Sequence, residues 1–131
     1  MVEFLNLKRI NDSYETQIRT AFERVLKSGR YILGDETQNF ETEFASYCGA
    51  KYCIGVGNGL DALHLILKAY KIGPGDEVLV PNFTFIASAN AVEMCGAKPV
   101  FVDIKEDLHI DIEKCKLSLT RKTKAIMPVH I

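Results

Sequence analysis

Residues 52–71, YCIGVGNGLDALHLILKAYK, combine three local patterns in one continuous stretch. The alternating apolar residues Tyr52–Val56 predict a buried strand, and the leucines at helical spacing that close the stretch predict an apolar helix. Three glycines between them, at 55, 57 and 59, should let the backbone turn sharply and approach a ligand closely. A helix start presents free N–H groups and a positive dipole end, so the pattern favours phosphate binding. The alternative is a tight connection that binds nothing.

The composition is that of a globular protein, because 47% of the 131 residues are hydrophobic and 25% are charged. A formal net charge of -1 offers no basic surface for nucleic acid or for an anionic membrane, so neither partner is predicted. No apolar run approaches the roughly 20 residues of a membrane span. The N-terminus lacks a signal-peptide pattern. We therefore expect a cytoplasmic protein.

The four cysteines form no C-x-x-C pair and have no histidine at zinc spacing; they are Cys48, Cys53, Cys95 and Cys115. This pattern predicts reduced thiols that mostly pack in the interior, and it predicts no metal site. A disulfide or a metal role is the alternative.

The first 50 residues are expected to form an N-terminal arm followed by helices. The arm is the apolar segment Phe4–Leu7, whose polar flanks predict that it lies on another surface. An amphipathic helix with one buried face is predicted after it, followed by a second helix. They should start at the capping-box-like pairs Asp12/Glu15 and Asp35/Gln38 and end at Gly29 and Gly49.

The loop between these helices carries the aromatic and aliphatic segment Arg30–Leu33 between two glycines. Apolar side chains in an inter-helix loop predict contact with a ligand or with another subunit. Simple anchoring of the loop is the alternative.

Residues 51–131 are expected to form successive βα units. After the first strand and helix, further strands are predicted at Glu77–Val80, at Val100–Val102 and from Lys124 onward, with helices at Ile86–Cys95 and Ile112–Leu119. Strands that alternate with helices over short connections predict a parallel sheet with right-handed crossovers. The chain stops on its fourth strand with no helix to cover it, which predicts part of a larger domain. A small complete α/β domain with its last strand at the edge is the alternative.

Two kinds of phosphate ligand fit the glycine-rich turn. Gly57-x-Gly59-x-x-Ala62 satisfies the dinucleotide fingerprint, but that site also needs an acidic residue at the end of the second strand, and none is present. An aromatic pair, Phe83 and Phe85, follows that strand instead. An aromatic side chain beside a phosphate site suits a flat phosphorylated ring such as pyridoxal phosphate.

Several motifs in order resemble one family, the DegT/DnrJ/EryC1/StrS aminotransferases, which use pyridoxal phosphate and act on nucleotide-linked keto sugars. The motifs are residues 4–7 (FLNL), 28–34 (SGRYILG), 59–63 (GLDAL), 73–78 (GPGDEV), 81–87 (PNFTFIA), 99–104 (PVFVDI) and 123–130 (TKAIMPVH). The resemblance runs over essentially the whole chain. It implies the α/β fold of the N-terminal part of the large domain of a fold-type I pyridoxal-phosphate-dependent transferase, a mostly parallel sheet with flanking helices.

The resemblance also implies roles for five residues. Gly59 and Leu60 would hold the cofactor phosphate through their backbone N–H groups, and Phe85 would stack on the pyridine ring. Arg30 and Tyr31 would lie near the sugar nucleotide. Leu60 stands where the family commonly has a hydroxyl residue, so only the backbone contacts carry over at that position.

No catalytic residue is predicted in this chain. The family's aspartate that pairs with the pyridine nitrogen, and its Schiff-base lysine, both lie beyond the position that matches Ile131. Lys68 and Lys124 are interpreted as solvated surface lysines, and His130, although near the predicted cleft, receives no role. The fragment is therefore expected to be inactive.

The partners implied by the resemblance are a nucleotide-linked keto sugar and an amino-acid donor, glutamate. The form of residues 57–63 resembles members that aminate the 3-keto position of dTDP-linked 6-deoxy sugars. Family members build each active site at a dimer interface, so the full enzyme is expected to be a homodimer. The competing interpretation is a non-catalytic α/β module that binds a nucleotide or a partner protein.

Overall fold

The computed structural model of the chain describes residues 4–131; residues 1–3 of the predicted arm region lie outside this range. The chain divides into two compact units, with the boundary after Gly55. The division predicted after residue 50, into arm and helices followed by βα units, stays a prediction.

Residues 4–55 of the first unit form the helices α1 (Leu7–Asp12), α2 (Glu15–Ser28) and α3 (Asp35–Cys48). The predicted ends of α2 and α3 are confirmed. Gly29 and Gly49 follow these helices with φ of 66° and 65°, a left-handed conformation that favours glycine.

α3 begins at Asp35 as predicted, whereas α2 begins at Glu15, three residues after the predicted cap Asp12. Asp12 does not cap α2, because it is the last residue of α1 and its carboxylate pairs with Lys8 at 2.6 Å. α2 follows Tyr14 and α3 follows Gly34, and neither of these residues makes a side-chain capping bond. Asp12 therefore belongs to the upstream helix α1, although the local pattern assigns it as the cap of α2.

The predicted arm and the predicted buried face of α2 also differ from the structure. Leu7 begins α1, which Asn6 caps by accepting a hydrogen bond from the Arg9 N–H at 2.8 Å, so Phe4–Asn6 stay outside the helix. α2 buries none of its residues, although Ile18, Phe22 and Leu26 form the expected apolar stripe. Periodicity indicates which face is apolar, whereas burial needs a second element that covers it.

The strand predicted at Tyr52–Val56 is wrong, because these residues are in no strand and pair with none among residues 4–131. The Gly55 N–H donates to the Glu41 carboxylate at 2.7 Å instead of to a neighbouring strand. A strand exists only where a neighbour completes its ladder of hydrogen bonds, and the local sequence does not supply that neighbour.

The second unit alternates helices and strands in chain order: α4 (Gly59–Ala69), β1 (Glu77–Pro81), α5 (Ala87–Met94), β2 (Lys98–Val102), α6 (Ile112–Ser118) and β3 (Thr123–Ile126). The strands form one sheet in the order β2-β1-β3, and both neighbouring pairs are parallel. This is the predicted α/β fold with a parallel sheet and flanking helices. Because the strands are parallel, their carboxyl ends lie at one edge of the sheet.

The core of the second unit is divided by β1, all of whose residues are buried. Val78 and Val80 pack in one cluster with Leu67 of α4 and Val92 of α5. Leu79 packs in a second cluster, whose other buried members are Val102, Ile110 and Cys115. Neighbouring residues of β1 therefore fill the two opposite faces of the sheet.

Within residues 4–131, no helix has the length and the apolar character needed to cross a membrane.

Candidate cofactor and substrate sites

An open pocket of about 960 Å³ lies in the second unit, next to the segments that follow β1 and β3. Its lining includes all three residues predicted to contact a cofactor, Gly59, Leu60 and Phe85. It is also lined by Met127, Pro128, Val129 and Ile131, which continue from the carboxyl end of β3. The carboxyl edge of a parallel sheet is where ligands bind in open α/β folds.

The start of α4 contributes two residues with free amides to the lining of this pocket. Asn58 precedes the helix, and its Oδ1 accepts a hydrogen bond from the Asp61 N–H at 2.9 Å. The Ala62 N–H bonds to the Asn58 carbonyl oxygen. The N–H groups of Gly59 and Leu60 have no hydrogen-bond partner among residues 4–131. These two donors, at the positive end of the helix dipole, are therefore available to an anion.

The glycines of the turn do not adopt the special backbone conformation that a sharp turn was expected to need. Positive φ occurs at Gly29, Gly49, Gly75 and Gly96 and not in residues 55–59, so this turn does not require the conformational freedom of glycine. A Cβ at Gly59 would contact nothing within 4 Å. The open space above this residue allows a ligand to approach its N–H closely.

Phe85 provides an aromatic face at the pocket. It lies in the loop between β1 and α5, and 78% of its surface is exposed, which is unusual for a phenylalanine outside an interface. Leu63, Ile86 and Met127 add apolar lining nearby. An exposed ring, apolar walls and two free amides fit a flat ring that carries a phosphate.

Arg30 and Tyr31 lie in the first unit, where both line a separate pocket of about 270 Å³. The Arg30 guanidinium donates to the Leu33 carbonyl oxygen at 3.2 Å and to the Asp35 carboxylate at 3.4 Å. Leu33 has a φ of 51°, a left-handed conformation that is strained for leucine. These contacts hold the arginine along its own loop and leave further N–H groups free for a ligand.

A bidentate ion pair forms part of the wall of this second pocket. Arg24 donates to the two carboxylate oxygens of Glu36, at 2.6 Å and 3.0 Å. These hydrogen bonds lower the pKa of Glu36 and raise that of Arg24. Because the pKa of Glu36 is lowered, the ion pair stabilises the fold at pH values above the ordinary glutamate pKa of about 4.3. This contribution is lost as the pH falls through the lowered pKa. The contribution is small because both side chains are partly exposed.

Sequence reasoning did not find the polar residues that support the first pocket. Asn58 could have been found, because asparagine is among the favoured residues immediately before a helix. Asn82 follows β1, and Asp103 follows β2. The Asn82 side-chain amide donates a hydrogen bond of 2.6 Å to the Asp103 carboxylate. Their pairing depends on the neighbouring positions of β1 and β2, which no local pattern reveals.

The histidines and cysteines add no further group to this site. His130 and His109 form an edge-to-face ring pair with centroids 6.1 Å apart. All four cysteines are free thiols, of which Cys95 and Cys115 are buried. Burial raises the pKa of the Cys115 thiol, and the nearby Asp111 carboxylate adds to this, so Cys115 is a neutral packing group at neutral pH.

The profile of the DegT/DnrJ/EryC1/StrS aminotransferase family matches residues 12–131. The chain belongs to this family. The resemblance found in the motifs is thereby confirmed over nearly the whole chain.

Three similar proteins illustrate the relationship. The dTDP-3-amino-3,6-dideoxy-alpha-D-galactopyranose transaminase of Aneurinibacillus thermoaerophilus is 55% identical over all of this chain and 36% of the relative. The structure of Streptomyces venezuelae DesV in complex with a ketimine intermediate has a TM-score of 0.96 and 46% identity, covering 99% of this chain and 35% of DesV. NtdA from Bacillus subtilis, solved with bound cofactor PMP, has a TM-score of 0.90 and 37% identity, covering 99% and 30%.

These comparisons identify the fold as that of fold-type I aminotransferases and the cofactor of the family as pyridoxal phosphate. The residues of the first pocket fit this cofactor, because free amides and an exposed aromatic ring lie on one surface. The chain spans about a third of the length of the curated relatives that it matches.

Proposed function

We propose that the protein containing this chain transfers an amino group from glutamate to the 3-keto position of a dTDP-linked 6-deoxyhexose. The single observation that carries the proposal is the shared pocket of Gly59, Leu60 and Phe85, which suits a phosphorylated ring. Two relatives with 55% and 46% identity are named as transaminases of dTDP-linked 3-amino sugars, which supports this substrate class.

In this proposal each pocket residue has a defined task. The N–H groups of Gly59 and Leu60 bind the phosphate, and Asn58 leaves them free by capping the Asp61 N–H instead. Phe85 stacks on the ring and fixes its plane. The apolar lining excludes water from that face. When bound, pyridoxal phosphate supplies the electron sink for amino transfer.

Arg30 and Tyr31 are proposed to contact the sugar nucleotide. The guanidinium offers five N–H donors, and its contacts with Leu33 and Asp35 use only part of them. Tyr31 is exposed and adds an aromatic face to the same pocket. An arginine beside an aromatic ring suits a ligand with phosphate groups and a flat base.

The proposed activity can be tested on the protein that contains this chain. We expect amine formation when it is incubated with glutamate, pyridoxal phosphate and a dTDP-linked 3-keto 6-deoxy sugar. The matched 4-keto sugar is the control for the position of transfer. Turnover of a free amino-acid pair without reaction of either sugar would contradict the sugar assignment. Binding of a nucleotide without any amino transfer would favour the non-catalytic module.

Replacing Phe85 with alanine is expected to weaken pyridoxal phosphate binding by about 1 kcal/mol, or roughly fivefold in Kd, because the stacking face is lost. An absorbance titration of the chain with the cofactor measures this change. Phe83→Ala is the matched control, since Phe83 is exposed in the same loop and does not line the pocket. Equal Kd values for the two variants would remove Phe85 from the site.

Self-association is proposed for the protein that contains this chain. Its first unit exposes large apolar side chains that a folded monomer usually covers; they include Ile18, Phe22, Leu26, Tyr31, Ile32 and Leu33. We expect a dimer in sedimentation velocity at working concentration. The double variant Phe22→Ser/Ile32→Ser should shift it toward monomer, whereas Lys116→Ser, on α6 of the second unit, should not. A monomeric parent protein would contradict the proposal.

A further inference from the structure

The loop that carries Phe85 has little packing to hold it in place. Residues 82–86 connect β1 to α5, and Phe83, Phe85 and Ile86 are all exposed. A ring that is 78% exposed is not oriented by a core around it. Its position must therefore depend on the polar contacts at the two ends of the loop.

The first end of the loop is attached to β2 twice. The Asn82 backbone N–H donates to the Val102 carbonyl oxygen at 2.9 Å, which extends the ladder between β1 and β2. The Asn82 side chain also donates, through Nδ2, to the Asp103 Oδ1 at 2.6 Å. Backbone and side chain together fix the direction in which the chain leaves β1.

The Asp103 carboxylate is itself held by a second donor. Lys114 of α6 donates through Nζ to Oδ2, so each carboxylate oxygen has its own partner. The Asp103 carbonyl oxygen accepts from the Asp111 N–H at 2.9 Å. The hydrogen bond from Lys114 lowers the pKa of Asp103, so the carboxylate is charged at neutral pH. A charged acceptor with two fixed partners holds Asn82 more firmly than a neutral one.

The second end of the loop is joined to α5. The Thr84 and Ser88 hydroxyl oxygens are 2.9 Å apart in a hydrogen bond, and Ser88 is buried. The Ser88 N–H donates to the Phe85 carbonyl oxygen at 3.1 Å. This end is therefore fixed by α5, while the first end depends on Asn82 and Asp103.

We propose that Asn82 and Asp103 are positioning residues that hold the 82–86 loop in the conformation that presents the Phe85 ring to the cofactor. Neither residue of the pair lines the pocket, so the pair acts through the backbone of the loop. The role in cofactor binding rests on the proposed function of the pocket, whereas the ordering of the loop can be measured without any ligand.

Two near-isosteric substitutions and their combination test the proposal on the chain described here. Asn82→Asp places two carboxylates against each other, and Asp103→Asn removes the charged acceptor. The double variant Asn82→Asp/Asp103→Asn restores a donor and an acceptor with their positions exchanged, because the new amide can donate to the new carboxylate and accept from Lys114. Glu113→Gln is the control for loss of a carboxylate. Glu113 lies on α6, and its carboxylate pairs only with Lys116 among residues 4–131.

Amide ¹⁵N relaxation of the ligand-free protein gives the first measurement. We expect the order parameter of the Phe85 N–H to fall from about 0.85 to below about 0.6 in Asn82→Asp, and to recover in the double variant. The second measurement is the Kd for pyridoxal phosphate, expected to rise about fivefold in Asn82→Asp and to return within about twofold in the double variant. The urea midpoint of each variant shows whether the unit stays folded.

An unchanged order parameter and Kd in Asn82→Asp, or no recovery in the double variant, would overturn the proposal. If Asn82→Asp does not fold, the double variant and Asp103→Asn decide the question. If the unmodified chain binds no pyridoxal phosphate, the proposed cofactor site fails. The order parameters then still decide whether Asn82 and Asp103 hold the loop.

Discussion

Replacing Leu79 with alanine is expected to lower the free energy of unfolding of the second unit by about 2 to 5 kcal/mol. Leu79 lies in the central strand β1 and is fully buried. It packs against Val102, Ile110 and Cys115 on one face of the sheet, and smaller side chains cannot fill the space it occupies. Urea denaturation followed by circular dichroism measures the change.

Leu117→Ala is the matched control for this prediction. Leu117 lies on α6 of the same unit with 86% of its surface exposed, so the same chemical change removes almost no buried contact. The expected change is within about 0.5 kcal/mol. Equal losses for the two variants would show that β1 is not the centre of the core.

Borohydride treatment in the presence of pyridoxal phosphate is expected to label no single lysine of this chain in full. Among residues 4–131, the lining of the proposed cofactor pocket contains no lysine. Lys68 and Lys124 are exposed and do not line this pocket, so the pocket places neither beside the aldehyde of the cofactor. We therefore expect weak labelling spread over several surface lysines, measured by peptide mapping.

Two comparisons make this result decisive. Lys68→Arg and Lys124→Arg should each remove only the minor signal at its own position. Added inorganic phosphate should leave the surface labelling unchanged, because no pocket directs it. One lysine labelled stoichiometrically and protected by phosphate would contradict the proposal that this chain binds the cofactor without reacting covalently with it.

Features of the fold that depend on one residue or one short pattern could be predicted from the sequence. The ends of α2 and α3 at Gly29 and Gly49 are such features, because a left-handed φ has a strong preference for glycine. The parallel pairing of the strands followed from the alternation of helices and strands. A helix start with free N–H groups followed from the glycine-rich pattern, whereas the choice of Gly59 and Leu60 followed from the family resemblance.

Features that depend on a partner distant in the sequence could not be predicted. Residues 52–56 have the apolar alternation of a strand, yet no neighbouring strand pairs with them among residues 4–131. The stripe on α2 has helical spacing, yet no element covers it there. The bond between Asn82 and Asp103 joins residues 21 positions apart, which only the register of β1 and β2 brings together.

Because β1, β2 and β3 are parallel, substitutions that alter binding and substitutions that alter stability fall in different parts of the second unit. The segments after these strands, residues 82–86, 103–111 and 127–131, all leave the sheet at the same edge, and two of them contribute to the lining of the proposed cofactor pocket. Substitutions there can alter what is bound while leaving the buried strands intact. Substitutions within β1 act on both faces of the core and alter stability first. Related enzymes can thus diverge in substrate while keeping one common framework.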